Sequence, residues 1–191
     1  MELQQRKPNR LKEYDYSQCG AYFITICVQN RHEILCKIVG EGSALPQNRT
    51  NALPQNRTNA LPQNNHGISD VNPSNARPET ILTSLGNIVD EYIRMIPEKY
   101  PNVQIDTYVI MPDHVHMVLV INHGRANPAP TVGNIMGWFK YMTTKMMANK
   151  CETSDNRIWQ RSYHDHVIRD EQDYLNICKY IADNPMRWMN R

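Results

Sequence analysis

The stretch VQIDTYVIMPDHVHMVLVIN, residues 103–122, decides the fold because it contains two strand-like runs on either side of a turn. Residues 103–111 alternate between apolar and polar side chains, and the tripeptide Met-Pro-Asp then supplies turn residues. Residues 114–122 are rich in β-branched and apolar side chains. This pattern predicts a β-hairpin.

The returning strand carries two histidines on one face. His114 and His116 are two positions apart, and successive side chains of a strand point to opposite faces. Two imidazoles inside an apolar strand are costly unless a partner engages them. Three partners are open: a divalent metal ion, a substrate phosphate, or mutual hydrogen bonding. The His-x-His-x-His phosphate pattern of the histidine-triad hydrolases is broken by Val118.

Periodicities on both sides of the hairpin complete a βαββαβ order. Around the hairpin, the expected elements are a strand at 21–29, a helix from after Pro78 with its apolar stripe starting at Ile81, a helix at 131–150, a strand within 157–169 and a helix at 170–185 that stops at Pro185. This order is typical of the ferredoxin-like, or split βαβ, α+β fold, an antiparallel sheet with helices on one face. We expect the extra C-terminal helix to complete it, and the histidines to occupy the face that the connecting helices leave uncovered.

Length and composition indicate one globular domain, residues 1–191. The chain has 40% hydrophobic and 21% charged residues, and its net charge of +2 permits nucleic acid without indicating it. No apolar run approaches the roughly 20 residues that span a bilayer, and the N-terminus is too polar for a secretory signal. Five cysteines without a CxxC pair are typical of a protein whose thiols stay reduced. We therefore expect a cytoplasmic protein that does not bind a membrane.

An eight-residue unit is repeated almost three times in residues 44–65, ALPQNRTNALPQNRTNALPQNN. Each unit offers only Ala and Leu for burial, which does not offset the entropy of ordering the segment. We expect residues 40–78 to be a disordered low-complexity insert. It is either a tolerated loop expansion, which we favour, or a functional tether.

The last predicted helix has two different stripes. The apolar stripe, which should face the core, comprises Tyr174, Ile177, Cys178 and Ile181. The opposite stripe places the phenol of Tyr180 one turn before the amide of Asn184. A tyrosine that faces solvent is common, so Tyr180 alone does not indicate a functional site. Unlike Tyr180, however, Tyr141 and Tyr163 have no comparable polar partner one turn away.

Three segments taken together resemble a known family. In chain order they are YVIMPDHVHMVLV, IWQRSYHDHVIRDEQDY and YIADNP, and the opening EYDYSQCGAYFITICVQNRHEILC also fits. This combination resembles the single-tyrosine HUH transposases of the IS200 type, most closely the branch that mobilises repetitive extragenic palindromes (REP). Apart from the insert, the resemblance covers most of the chain.

The resemblance implies a mechanism and its residues. His114 and His116 would bind Mg²⁺ or Mn²⁺, with Asn184 as the third ligand, and Tyr180 would be the nucleophile. Attack on single-stranded hairpin DNA would give a 5′-phosphotyrosine and a free 3′-OH, so that strands are nicked and transferred. Magnesium prefers oxygen ligands, so manganese fits this donor set at least as well.

Further DNA contacts are expected outside this set. His166 matches the family pattern as a residue that faces DNA or supports the ligands. Four basic residues could contact phosphates, although a solvated charged face is the more ordinary explanation for each: Arg161, Arg169, Lys179 and Arg187. We expect a monomer, with a homodimer as the alternative. The chain has only six residues after Pro185, so hairpin recognition by a longer C-terminal extension is not expected.

Two other functions compete with the transposase hypothesis. One is a domesticated, non-catalytic protein that binds DNA hairpins, and the other is a metal-dependent phosphoesterase acting on small nucleotides. The joint presence of two histidines, a tyrosine and an asparagine favours activity, because a binding protein needs none of them.

Overall fold

The computed structural model describes residues 18–40, 78–123, 130–148 and 157–191. Within these ranges the strands and helices are β1 Gly20–Cys27, β2 Cys36–Val39, β3 Glu79–Leu82, α1 Ser84–Lys99, β4 Val103–Ile110, β5 His114–Ile121, α2 Val132–Ala148, β6 His164–Ile168 and α3 Glu171–Met189. None of these helices has the length and apolarity needed to cross a membrane.

Four strands form one antiparallel sheet in the order β4-β5-β1-β6. The predicted hairpin is β4-β5, and β1 pairs with the other side of β5, joining Gly20 to Ile121 and Cys27 to His114. With α1 and α2 as the connecting helices, the strands β1, β4, β5 and β6 have the order of the split βαβ arrangement. The predicted ferredoxin-like α+β fold is therefore confirmed.

The two faces of the sheet are covered by different helices. On one face α1 and α2 enclose the main core, in which Ile24, Met117 and Phe139 are fully buried. On the other face α3 forms a smaller apolar cluster, where Ile177 packs with Val118 of the sheet. The hydrophobic effect drives both packings, and α3 thereby lies over the face that carries the histidines.

Two helix boundaries differ from the sequence prediction. α1 begins at Ser84 and not after Pro78, because Ile81 belongs to β3, which pairs with β2. Cross-strand hydrogen bonds override the helical spacing of that residue. α3 does not stop at Pro185 but continues to Met189. The fixed φ of proline is compatible with a helix, so α3 continues through Pro185 although its missing N–H removes one backbone hydrogen bond.

The β2–β3 ladder joins the two ends of the predicted insert. Val39 pairs with Glu79, so the chain leaves and re-enters the described structure at adjacent positions. The prediction of disorder for residues 40–78 concerns positions that, from 41 to 77, lie outside the described residues.

The first turn of α1 is fixed by close backbone packing. The hydroxyl of Thr83 accepts a hydrogen bond from the amide of Gly86 at 3.0 Å and donates to the carbonyl of Ile34 at 2.7 Å. A Cβ atom added to Gly86 would overlap the carbonyl oxygen of Leu35. Because that oxygen belongs to the backbone, it cannot move without shifting the whole turn.

We predict that Gly86→Ala lowers the free energy of unfolding by roughly 1–3 kcal/mol, because it forces this turn apart. Urea denaturation followed by circular dichroism measures the change. Gly137→Ala in α2 is the matched control, since a Cβ there meets no atom within 4 Å. It should raise stability by roughly 0.5–1 kcal/mol through helix propensity. Equal unfolding midpoints for Gly86→Ala and the natural protein would contradict the close approach.

Candidate active site

β5 brings two buried imidazoles together under α3. His114 and His116 are 4% and 5% exposed, and their Nε2 atoms are 3.0 Å apart. At this distance the two rings can share a proton, which was one of the predicted alternatives. Two neighbouring ligands of one octahedral ion, each about 2.1 Å from it, are also about 3.0 Å apart. The pair therefore fits a shared divalent ion.

The outer nitrogen of each ring is held by a second residue. Nδ1 of His114 contacts the carboxylate of Asp113, and Nδ1 of His116 lies 2.8 Å from the hydroxyl of Thr25. Because a carboxylate only accepts hydrogen bonds, it selects the tautomer of His114 with hydrogen on Nδ1. The hydroxyl of Thr25 can accept in the same way. Both Nε2 lone pairs are then available to a metal ion.

Electrostatics keep this pair neutral. Burial, the neighbouring imidazole of His114 and the charge of Arg31 together lower the pKa of His116 to about 3, and burial has the largest effect. Burial also lowers the pKa of His114, against the opposing effect of Asp113. Both rings are therefore uncharged near neutral pH, which is the form that binds metal ions.

α3 places Tyr180 beside the pair. Its hydroxyl oxygen lies 3.5 Å from Nε2 of His116. Phe23 holds both rings, since its centroid is 5.2 Å from His116 in a stacked arrangement and 5.9 Å from Tyr180 edge to face. The guanidinium of Arg187 lies 5.3 Å from the centre of the Tyr180 ring. One chain thus brings a phenol, two imidazoles and a cation into one cluster.

Asn184 is buried on α3, with 4% of its surface exposed. Its Nδ2 donates to the carbonyl of Tyr180 at 3.4 Å, which leaves its side-chain oxygen as an acceptor. Within the described ranges, no group of three or more His, Cys, Asp or Glu side chains is arranged to hold a metal ion. The amide oxygen of Asn184 is the type of hard ligand that could complete a site at the histidine pair.

The other predicted DNA contacts have separate surroundings. His166, on β6, lies 2.8 Å from a carboxylate oxygen of Asp173 in the first turn of α3. The amide of Arg169 donates to the same carboxylate at 3.4 Å. Arg161 lines a groove beside α2, and Lys179 is exposed on α3. Of the five predicted contacts, Arg187 is the one that touches the Tyr180 ring.

The competing tyrosines are placed differently. Tyr141 is 64% exposed on α2, and Tyr163 is buried in the main core. Tyr174 donates to the carboxylate of Asp106 at 2.6 Å, and this hydrogen bond is the main cause of its raised pKa. The hydroxyl of Tyr174 is therefore held in a protonated state away from nucleophilic use.

The sequence analysis missed Phe23 and three further residues of the cluster. Asp113 was interpreted as a turn residue, although its position next to His114 was an available signal. Thr25 could not be identified, because its place opposite His116 depends on the register of β1 against β5. Trp188 lies beyond the predicted end of the last helix, and its ring is 6.1 Å from that of His114.

Proteins of known sequence point to one family. The family described as "Transposase IS200 like" matches residues 65–184. An uncharacterised protein of Haemophilus influenzae is 30% identical over 203 residues, which cover 97% of this chain and 91% of that protein. A second H. influenzae protein, provisionally named a REP-associated tyrosine transposase, is 28% identical over 119 residues, covering 58% of this chain and 65% of its own length.

A solved structure shares the fold. It is a REP-associated tyrosine transposase bound to a REP hairpin, with a TM-score of 0.54 and 18% sequence identity, covering 93% of this chain and 74% of that one. The range that the family matches extends from before β3 to Asn184 in α3. The resemblance noted in the sequence motifs is thus confirmed, and the chain belongs to the family of IS200-like transposases.

Proposed function

We propose that this protein nicks and rejoins single-stranded hairpin DNA in a metal-dependent reaction with Tyr180 as the nucleophile. The observation that carries the proposal is the distance of 3.5 Å between the hydroxyl of Tyr180 and Nε2 of His116, itself 3.0 Å from Nε2 of His114. A nucleophile beside a site that can hold a Lewis acid is an arrangement that accelerates phosphodiester exchange. The related transposase bound to a REP hairpin supports hairpin DNA as the substrate.

The donor set suits a divalent ion of intermediate hardness. His114 and His116 would contribute neutral nitrogens, and Asn184 an amide oxygen. When bound there, Mn²⁺ or Mg²⁺ supplies positive charge that polarises the scissile phosphate. Two nitrogen ligands favour manganese over magnesium, which prefers oxygen.

The covalent step exchanges one ester for another. The phenol oxygen of Tyr180 bonds to phosphorus, and the bond from phosphorus to the 3′-oxygen breaks. The product is a 5′-phosphotyrosine and a free 3′-OH, so the proton lost by the phenol is balanced by the proton gained by the leaving oxygen. A 3′-OH that later attacks the phosphotyrosine rejoins DNA without an external energy source. Arg187 lies close enough to the phenol to offset charge on the phosphate.

A single chain is sufficient for this arrangement. The phenol of Tyr180 and both imidazoles come from the same polypeptide, which supports a monomeric active form. A homodimer that exchanges α3 between protomers is the alternative. Size-exclusion chromatography with light scattering, in the presence and absence of hairpin DNA, distinguishes the two.

We predict that Asp113→Ala weakens Mn²⁺ binding by roughly 10–100-fold, because partners that orient metal-bound histidines have effects of this size. Isothermal titration calorimetry without DNA measures the affinity directly. Thr25→Val should have a smaller effect, since a neutral hydroxyl orients its imidazole less strongly than a carboxylate. Asp90→Asn is the control, because Asp90 contacts Arg94 and Tyr108 on another part of the fold. An unchanged affinity in Asp113→Ala would show that the carboxylate does not orient His114.

The proposed activity is tested by incubating the protein with labelled hairpin oligonucleotides and Mn²⁺. A protein–DNA adduct that survives a denaturing gel is the expected result. Hairpin binding without an adduct would contradict the proposal and favour the non-catalytic binding protein. Hydrolysis of small nucleotides without affinity for DNA would favour the phosphoesterase.

A further inference from the structure

The last turn of α3 places an indole beside the candidate active site. The Trp188 ring centroid is 6.1 Å from that of His114, with the two planes tilted by 46°. The guanidinium of Arg191 lies over the indole, 4.3 Å from its centre. Trp188 is half-buried, whereas Trp159 belongs to the main core and Trp138 packs against it. Trp188 therefore differs from the other two tryptophans, which both contribute to the main core.

The neighbours of Trp188 are unusual for a residue that only fills space. It belongs to neither of the two apolar clusters formed by the described residues. Its ring contacts are an imidazole and a guanidinium, both planar and polar. A flat, partly exposed aromatic ring with a cation on it is the arrangement by which proteins hold single-stranded nucleic acid, since every nucleobase can stack on such a ring.

The direction of the reaction indicates which nucleotide would reach this ring. Tyr180 lies next to His116, and Trp188 is eight residues further along α3, about 12 Å along the helix axis, next to His114. In phosphoryl transfer the attacking and leaving oxygens lie roughly in line on opposite sides of phosphorus. For a phosphate bound at the imidazole pair and attacked by the phenol from the His116 side, the leaving 3′-oxygen and its nucleotide would extend towards His114.

We propose that Trp188 stacks on the nucleobase immediately 5′ of the scissile phosphate, which belongs to the strand that leaves with the free 3′-OH. This subsite rests on the proposed nicking function. It would hold the 3′-OH in place between the nicking and rejoining steps, because that strand has no covalent bond to the protein.

Arg191 is placed to exchange with such a base. α3 ends at Met189 and Asn190 is its C-cap, so Arg191 lies outside the helix and its side chain is not fixed by it. Its guanidinium, which is flat and weakly hydrated, covers the same face of the indole on which a base would stack. Once displaced, the charge remains close to the DNA backbone and can pair with a phosphate.

The test combines two substitutions of Trp188 with abasic sites at two positions in the DNA. In a Tyr180→Phe background, fluorescence anisotropy measures the affinity for a fluorescein-labelled hairpin oligonucleotide with single-stranded flanks, whose cleavage point the unmodified protein has defined. Trp188→Leu keeps apolar volume without a flat face, and Trp188→Phe keeps the flat face. We expect Trp188→Leu to weaken binding about 10-fold and Trp188→Phe about 2-fold.

Abasic sites identify the base. An abasic site immediately 5′ of the cleavage point should weaken binding about 10-fold when Trp188 is present and less than 2-fold in Trp188→Leu. An abasic site immediately 3′ should have the same effect in both proteins. Tyr141→Leu, which removes an exposed aromatic ring from α2, is the matched control. It should change neither the affinity for intact DNA nor the effect of an abasic site.

The outcomes separate this subsite from the proposed function. Unchanged binding in Trp188→Leu, or a loss that is the same with intact and abasic DNA, overturns the subsite. The covalent adduct of the unmodified protein would still support nicking in that case. If the unmodified protein neither binds nor cleaves hairpin DNA, the proposed function fails and the subsite fails with it.

Discussion

Tyr180→Phe should eliminate the covalent protein–DNA adduct and lower the rate of strand nicking by roughly 10⁴-fold or more, the size of effect seen when a catalytic nucleophile is removed. The substitution keeps the aromatic ring and therefore its contacts with Phe23 and Arg187. It removes only the oxygen that would bond to phosphorus. Hairpin binding should consequently remain within about 2-fold of that of the unmodified protein.

The adduct is measured on denaturing gels with DNA labelled on the fragment that keeps the 5′ phosphate and becomes linked to the protein. Single-turnover nicking rates are measured alongside. Tyr141→Phe is the matched control, because it removes an exposed hydroxyl from α2 and should leave both measurements unchanged. If Tyr180→Phe forms the adduct as efficiently as the unmodified protein, another residue is the nucleophile.

His116→Ala should abolish measurable Mn²⁺ binding and slow nicking by roughly 10³-fold, because it removes one of the two nitrogen donors. The remaining donors would be one imidazole and the amide of Asn184, too few to hold an ion firmly. The loss should also increase the mobility of Tyr180, since Phe23 stacks on His116 and supports the phenol from there.

Calorimetry with Mn²⁺ and nicking rates at saturating Mn²⁺ measure the two effects separately. His166→Ala is the control, because this histidine is hydrogen-bonded to Asp173 and not to the imidazole pair. Its removal should not change the affinity for Mn²⁺. Nicking that proceeds equally fast in His116→Ala, with or without Mn²⁺, would show that the imidazole pair does not hold a catalytic ion.

The fold could be predicted because its main signals are local. The alternation of residues 103–111 and the turn before His114 define the hairpin within 20 residues, and the strand order follows from known connection rules. The errors arose where distant residues decide the structure. Ile81 has helical spacing, but it pairs with Lys37 across the insert. Pro185 is a local stop signal, but α3 continues through it, and the ring of Trp188 in the last turn lies 6.1 Å from that of His114 on β5.

The candidate site divides in the same way. The imidazole pair and the spacing of Tyr180 and Asn184 follow from the periods of a strand and a helix, so the sequence is sufficient to find them. The burial of Asn184 does not follow from helical periodicity, which places this residue opposite the apolar stripe; it depends on how α3 lies on the sheet. Thr25 required the register between β1 and β5, because this residue and His116 are 91 positions apart along the chain.

The pairing of Val39 with Glu79 has a consequence for how this gene can change. Every copy of the octapeptide is inserted between the same two neighbouring backbone positions, so gain or loss of copies by replication slippage does not alter the spacing of those anchors. The entropic contribution to the free-energy cost of closing a loop grows slowly, by about 0.6 kcal/mol for each doubling of the loop length. A change in copy number should therefore cost little stability, and the same position is a suitable graft point for a fluorescent reporter.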